Sequence, residues 1–272
     1  MDSPASSRAI ADGHVHTEWS WDAPRGDMEA TCRKAVDLGL PAIAFTDHCD
    51  FVHAFAEQQP LDLAGYLGAV ERCRALFPEL RILTGVELGE PHRFPAEVAA
   101  LLRAAPLDRV LGSVHTLRLA GQPVDMSQGI LTAKDSADLM RDYLAETLDL
   151  VRSDQLFDVL AHLDYPKRYW PHADLPFRES DFEGEYRAVL RALADRGAAL
   201  EVNTTRGAEH RRGLCPGPVV LGWWREAGGD RVSFGSDSHE PRLIAAGFAA
   251  AAEVVEAAGF RPARDPAAFW RR

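Results

Sequence analysis

Along this chain of 272 residues, short apolar runs that end in clusters of polar residues alternate with longer amphipathic segments. That alternation constrains the fold more than any other feature, because strand-length runs separated by helix-length ones are the pattern of βα units and a parallel sheet. Seven such units are expected, with strands near Arg8–His16, Pro41–His48, Arg81–Glu87, Arg109–His115, Phe157–Asp164, Ala198–Asn203 and Arg231–Asp237. Helical periodicity falls near Asp27–Leu38, Leu63–Phe77, Pro95–Ala104, Ser136–Ser153, Ser180–Arg196, Pro218–Ala227 and Pro241–Ala258. Asp27, and either Asp135 or Ser136, are placed as N-caps, and Gly39, Gly197 and Gly228 stand where helices should stop. Longer connections, at Cys49–Asp62, Thr116–Lys134, Tyr165–Glu179 and Thr204–Gly217, all follow strands. They gather on the rim made by the strands' carboxyl ends, where a βα barrel binds ligands.

Bulk properties narrow the function. The length suits a single domain over residues 1–272, and 46% hydrophobic with 26% charged residues leaves no disordered tract. A net charge of −11 argues against a nucleic-acid surface, where clustered cations would neutralise phosphates, and favours a small-molecule partner. Cys32, Cys49, Cys73 and Cys215 are widely spaced, so neither a zinc ribbon nor a disulfide framework is indicated and a reducing cytoplasm is expected. No signal-peptide core and no run of 18 apolar residues occurs, so neither secretion nor a membrane span is expected.

The strand ends carry the chemistry. In DGHVHTEWSWD (Asp12–Asp22), His14 and His16 share one face of a strand while Val15 faces the other way. Further along stand Asp47 and His48 in FTDH, Glu87 in TGVELG, His115 in GSVHT, His162 and Asp164 in AHLD, Glu201 and Asn203, and Asp237 and His239 in GSDSH. Six of the ten histidines are thus at strand ends. Asp237 and His239 repeat the one-face geometry of the first pair, and imidazoles with carboxylates converging on a barrel rim make a metal centre. His53, His92, His172 and His210 are expected on the surface or in loops, with His53 and His172 still able to touch a substrate. Cys49 should point away from its neighbour His48. Asp47, Asp164, Glu201 and Asn203 are expected to orient ligands, a structural hydrogen bond being the alternative for Glu201. Trp19 and Trp21 either wall the pocket or pack at the rim.

The motifs HVHT, FTDH, GVELG, GSVHT, AHLD and GSDSH, in this order and over nearly the whole chain, resemble the polymerase and histidinol phosphatase (PHP) superfamily. The resemblance implies an α/β fold, a distorted seven-stranded TIM-like barrel with its metal site at the C-terminal rim of the strands. It also implies two to three divalent metals, Zn, Mn or Fe. Carried over residue by residue, it makes His14, His16, Glu87 and Asp237 ligands of one metal, with Glu87 bridging to a second held by His115 and His162. Asp22, His48 and His239 would hold a third. Many relatives carry histidine where this chain has Asp22, and the harder oxygen ligand favours manganese or iron over zinc.

Such a cluster suits phosphate monoesters, whose uncatalysed hydrolysis is extremely slow; paired metals can activate water and clamp the attacking and leaving oxygens. No protein nucleophile is evident. Metal-bound water, His239 or another rim residue could protonate the leaving oxygen, which makes His239, Asp237 and Arg206 the candidate catalytic residues. Cations to hold phosphate are Arg206 in EVNTTR, Lys167 and Arg168 in DYPKRYW, and Arg118 in VHTLR. The DGHVHT start, the length and GSVHT resemble the histidinol phosphatase branch, which makes L-histidinol phosphate the leading substrate. Where that branch more often reads EINTxGLR this chain has EVNTTRGAEHRRG, so other sugar or nucleotide phosphates stay open. So do an exonuclease, a metal-stabilised binding module and, last, an amidohydrolase.

Overall fold

A computed structural model describes residues 10–132, 136–171, 176–205 and 213–272. The strands are β1 (Asp12–Val15), β2 (Ala42–Phe45), β3 (His48–Asp50), β4 (Arg81–Gly89), β5 (Arg109–Ser113), β6 (Thr116–Leu119), β7 (Gln122–Asp125), β8 (Val159–Leu160), β9 (Ala199–Asn203), β10 (Arg231–Gly235) and β11 (Trp270–Arg271). The main sheet runs β1-β2-β4-β5-β8-β9-β10-β11, with β3 also on β4. Every pairing in it is parallel except β10 with β11. The sheet curls until its first and tenth strands meet: Asp237 N donates to His14 O and His16 N to Ser238 O, each at 2.8 Å. The result is an α/β fold built on a curled, parallel-dominated sheet.

The helices are α1 (Met28–Leu38), α2 (Leu63–Leu76), α3 (Pro95–Ala104), α4 (Ser136–Arg152), α5 (Glu183–Arg196), α6 (Pro218–Glu226) and α7 (Phe248–Ala257). Their boundaries follow local chemistry. Asp27 caps α1 by accepting from Ala30 N at 2.8 Å, and Gly39 and Gly197 end α1 and α5 at φ of 68° and 74°, a region that costs glycine little. At the start of α4 the Ser136 hydroxyl donates to Leu131 O at 2.6 Å. Asp135 lies outside the described residues.

Departures from the expected elements have identifiable causes. The run 41–48 splits into β2 and β3 because the intervening Asp47 side chain turns inward to bind Thr17 and Ser20. Thr116–Lys134, expected as a loop, begins with the antiparallel β6–β7 hairpin. The helix expected from Pro241 starts at Phe248, since Asp12 Oδ2 takes Ala245 N at 2.8 Å and holds that segment in a loop.

Side-chain alternation sends the strands' two faces to different destinations. Val86 and Leu88, Val202 and Phe234 join the outer core beneath α4, α5, α6 and α7, while Val15, Ile43, Phe45 and Ile82 pack under α1 and α2. The intervening residues, His14, Glu87 and Glu201, point inside and are also fully buried. All four cysteines are free and buried. No helix among the described residues is long and apolar enough to cross a membrane.

Candidate metal centre

β1 brings His14 and His16 together, with their Nε2 atoms 3.0 Å apart. Each ring is fixed from behind. His14 Nδ1 lies 2.7 Å from Glu201 Oε1; His16 Nδ1 lies 3.0 Å from the Ser20 hydroxyl, which donates to Asp47 Oδ1 at 2.7 Å. A carboxylate only accepts, so Glu201 sets the tautomer that leaves His14 Nε2 free to face the centre. Glu201 also accepts from His162 N at 2.7 Å and Asn203 Nδ2 at 3.1 Å, so one strand end holds two histidines in place.

Glu87, on β4, is the hub. Its Oε1 lies 2.7 Å from His162 Nε2 and 3.2 Å from His115 Nε2. Its Oε2 stands 3.2 to 3.3 Å from His14 Nε2, His16 Nε2 and His48 Nδ1, yet takes no hydrogen bond. Asp237 Oδ1 lies 3.5 Å from His16 Nε2 and 3.6 Å from His239 Nδ1, and Asp22 Oδ2 lies 3.0 Å from His239 Nε2 and 3.5 Å from His48 Nε2. Asp237 (φ 55°) and His162 (φ 20°) adopt backbone conformations unusual for non-glycine residues, a strain typical of groups held for function.

This arrangement fits divalent metal ions. Four overlapping sets each place three ligand atoms within 4.8 Å of one another: His14, His16 and Asp237; His14, Glu87 and His162; His48, Glu87 and His115; His16, His48 and His239. A fully buried carboxylate oxygen without a hydrogen-bond donor, ringed by imidazoles, is costly in a protein unless a cation completes it. The field agrees. Burial alone would push Glu87 up, but His14, His115 and His48 hold its carboxyl well below the usual carboxylate range. Against their own burial, Glu201, Glu87 and Asp237 push His14 well up.

The expected cations separate. Arg168, buried, donates to Asn203 Oδ1 at 2.9 Å, lies 2.7 Å from Asp237 Oδ2 and lines a cleft of about 250 Å³ over the histidine cluster. Lys167, next to it in a 3-10 turn, turns away to Glu179 Oε1 at 2.7 Å and Leu214 O at 3.0 Å and does not reach the cleft wall. Arg118 is exposed on β6 outside that lining. Arg206 lies outside the described residues, as do His172 and His210. Trp21 lines the cleft and donates to Asp50 Oδ2 at 3.1 Å, whereas Trp19 packs beside the core of α1 and α2. His92 pairs with Glu146 away from the site.

Three site residues carried no sequence signal. Ser20 relays Asp47 to His16. Asp50 sits 3.8 Å from both His48 Nδ1 and His115 Nδ1. Glu90, in the left-handed region at φ 44°, accepts from His115 N at 2.6 Å and Thr116 N at 2.7 Å and so fixes the turn bearing His115. Asp47 as the partner of Ser20, and His115 as that of Asp50 and Glu90, are remote in sequence, which hides those contacts from any local pattern.

Known proteins share this frame. The PHP domain model matches residues 12–205. A histidinol-phosphatase of Lactococcus lactis is 28% identical over 255 residues, covering 92% of this chain and 91% of that one. A Thermotoga maritima protein named "Probable histidinol-phosphatase" is 35% identical over 249 residues, 88% of each chain. The crystal structure of the Lactococcus lactis histidinol phosphate phosphatase, complexed with Zn, L-histidinol and phosphate, superposes with a TM-score of 0.81 at 27% identity over 93% of this chain and 95% of that one. With its family model spanning most of the chain and the motif histidines gathered at one cluster, this protein belongs to the PHP domain family.

Proposed function

We propose that this protein is a metal-dependent phosphatase that hydrolyses L-histidinol phosphate to L-histidinol and phosphate. The observation that carries the reading is the buried Glu87 carboxylate, with one oxygen lacking a hydrogen-bond donor amid the imidazoles of the cluster, at the floor of a cleft that also holds a buried arginine. The likeness to the Lactococcus lactis enzyme supports the substrate. In this reading the curled sheet is a distorted seven-stranded βα barrel, residues 1–272 are one domain, and the centre lies at the carboxyl rim of its strands. His14, His16, Glu87 and Asp237 would hold one divalent ion, and Glu87 with His115 and His162 a second. Asp22, His48 and His239 would hold a third, the ions being Zn, Mn or Fe. The four free, buried cysteines suit a reducing cytoplasm.

Bound ions supply a water nucleophile of lowered pKa and neutralise developing charge on the phosphate. The chain's own groups do the rest. Glu201 and the Ser20–Asp47 relay keep the imidazole Nε2 atoms aimed inward. Arg168 offers its guanidinium to phosphate oxygens, restrained by Asp237 and Asn203 so that little entropy is lost on binding. Arg206, three residues beyond Asn203 in the chain, supplies a second cation. The proton for the leaving oxygen comes from His239, which lines the cleft, when the third metal position is empty, and otherwise from another group on the rim.

The test is to measure metals in the purified protein and phosphate release from L-histidinol phosphate beside sugar and nucleotide monophosphates, before and after chelation. Two to three metals per chain and chelator-sensitive turnover that favours L-histidinol phosphate are expected. A different preferred phosphate would overturn the substrate, and no cleavage by metal-loaded protein would overturn the phosphatase reading.

A further inference from the structure

Six carboxylates line the cleft, and five of them face the imidazole cluster, Arg168 or fixed N–H groups. Glu87 and Asp22 face the imidazole cluster, Asp237 faces Arg168, Asp50 takes the Trp21 indole N–H, and Glu90 takes two backbone N–H groups. Asp125 is different. It is 7% exposed, its Oδ1 accepts from Ser127 N at 2.7 Å, and its Oδ2 has neither donor nor cation among the described residues. Unlike Asp22 Oδ1 and Asp50 Oδ1, which are sealed from solvent without a partner, this oxygen keeps an opening to the cleft and so can take a donor from a bound ligand.

Its position is set by the hairpin. Asp125 is the cross-strand partner of Thr116, the residue after His115, and Met126 N donates to His115 O at 3.1 Å. Asp125 therefore sits one strand spacing, roughly 5 Å, from the backbone that presents a cluster histidine. Phe55, Trp21 and Tyr169 line the same cleft and offer planar apolar surface.

We infer that Asp125 is the specificity residue of the cleft, receiving the primary ammonium of an amino-alcohol phosphate whose phosphate lies at the histidine cluster. The inference rests on the phosphatase reading for the location of the phosphate. It adds a selection rule: a cationic amine at the carbon next to the ester methylene is required, and isosteric neutral esters are poor substrates. Because the ammonium keeps its charge throughout hydrolysis, Asp125 acts on binding more than on the chemical step.

The experiment compares wild-type protein with Asp125→Asn, which can still accept the Ser127 N–H, on L-histidinol phosphate and on 3-(imidazol-4-yl)propyl phosphate, the same ester without the amine. Metal content is measured for both proteins, and L-histidinol binding is followed by calorimetry. The wild type should prefer the amine-bearing ester, and that preference should fall about tenfold to hundredfold in the variant, chiefly through KM. Equal loss on both esters, or an unchanged preference, would overturn the inference by reducing Asp125 to a turn residue. If the metal-loaded wild type cleaves neither ester, the phosphatase reading fails, and calorimetry decides the rest. L-histidinol binding weakened tenfold or more by Asp125→Asn supports the ammonium site, and binding that is absent or indifferent to the variant overturns it.

Discussion

The carboxylate of Glu201 lies 2.7 Å from Nδ1 of His14, both side chains essentially inaccessible to solvent. This contact fixes the ring whose other nitrogen stands 3.2 Å from the hub carboxylate Glu87. Outer groups of this kind commonly change metal affinity tenfold to hundredfold when removed. Glu201→Gln should therefore weaken metal binding by about that factor in chelator competition, with kcat/KM recovering at saturating metal. Unchanged affinity would mean that Glu201 serves packing alone.

Gly235 presses on the same contact. A Cβ built there would meet Glu201 Oε1 at 2.1 Å and His14 Cβ at 2.6 Å. Gly235→Ala should cost about 1–3 kcal/mol in denaturant melts by overpacking. It should also reduce bound metal, though it replaces no ligand. Full metal content in a folded Gly235→Ala protein would show that the carboxylate can move without consequence.

Removing the metals should both destabilise the fold and change its protonation. With free ion at about 100 times its dissociation constant, one site contributes roughly 2.7 kcal/mol, so chelation should lower Tm by about 5–10 °C. In the metal-free protein, burial disfavours a charged His48, but Asp22, Asp50 and Glu87 outweigh it and push the ring up to about 10. His14 and His115 are also pushed well up by neighbouring carboxylates. His48 is therefore protonated near pH 8 and must be neutral to ligate, so adding metal should release about one proton or more per chain, measurable with an indicator dye. Metal uptake with no proton release would contradict this.

Glu146 controls an acid limb away from the centre. Despite partial burial, hydrogen bonds from His92 and Arg93 hold its carboxyl down at about 2, below the ordinary 4.5. A depressed folded-state value gives stability that is fully present above pH 4.5 and lost as pH falls through 2. The shift converts to about 3 kcal/mol, and solvent screening of this partly exposed group trims it to roughly 2 kcal/mol. Glu146→Gln should lose about that much at pH 7 and show a flatter stability profile between pH 4.5 and 2. An unaltered acid limb would count against the coupling.

Much of the centre was legible because it rests on local periodicity. The two-residue repeat put His14 and His16 on one face with Val15 behind them, and put Asp237 and His239 on another, and the cluster is where those strand ends meet. Capping at Asp27 and the left-handed glycines bounded helices equally well, since each is decided within a few residues. The β6–β7 hairpin and the brevity of β8 were not legible, because their pairing depends on partners that propensity does not name.

Among the cations the division is sharpest. Lys167 and Arg168 are neighbours with the same charge, and nothing in DYPKRYW separates them. The 3-10 turn sends their side chains apart: Lys167 to Glu179, and Arg168 to Asp237, 69 positions further on. By itself, the sequence determined which residue types arrive at the strand ends, because alternation and capping are short-range. Which oxygen meets which nitrogen, how Glu201 and Glu90 hold the histidines, and why Asp125 is left with an open oxygen were decided only by the tertiary structure. Those relations depend on non-local packing that brings distant backbone into register.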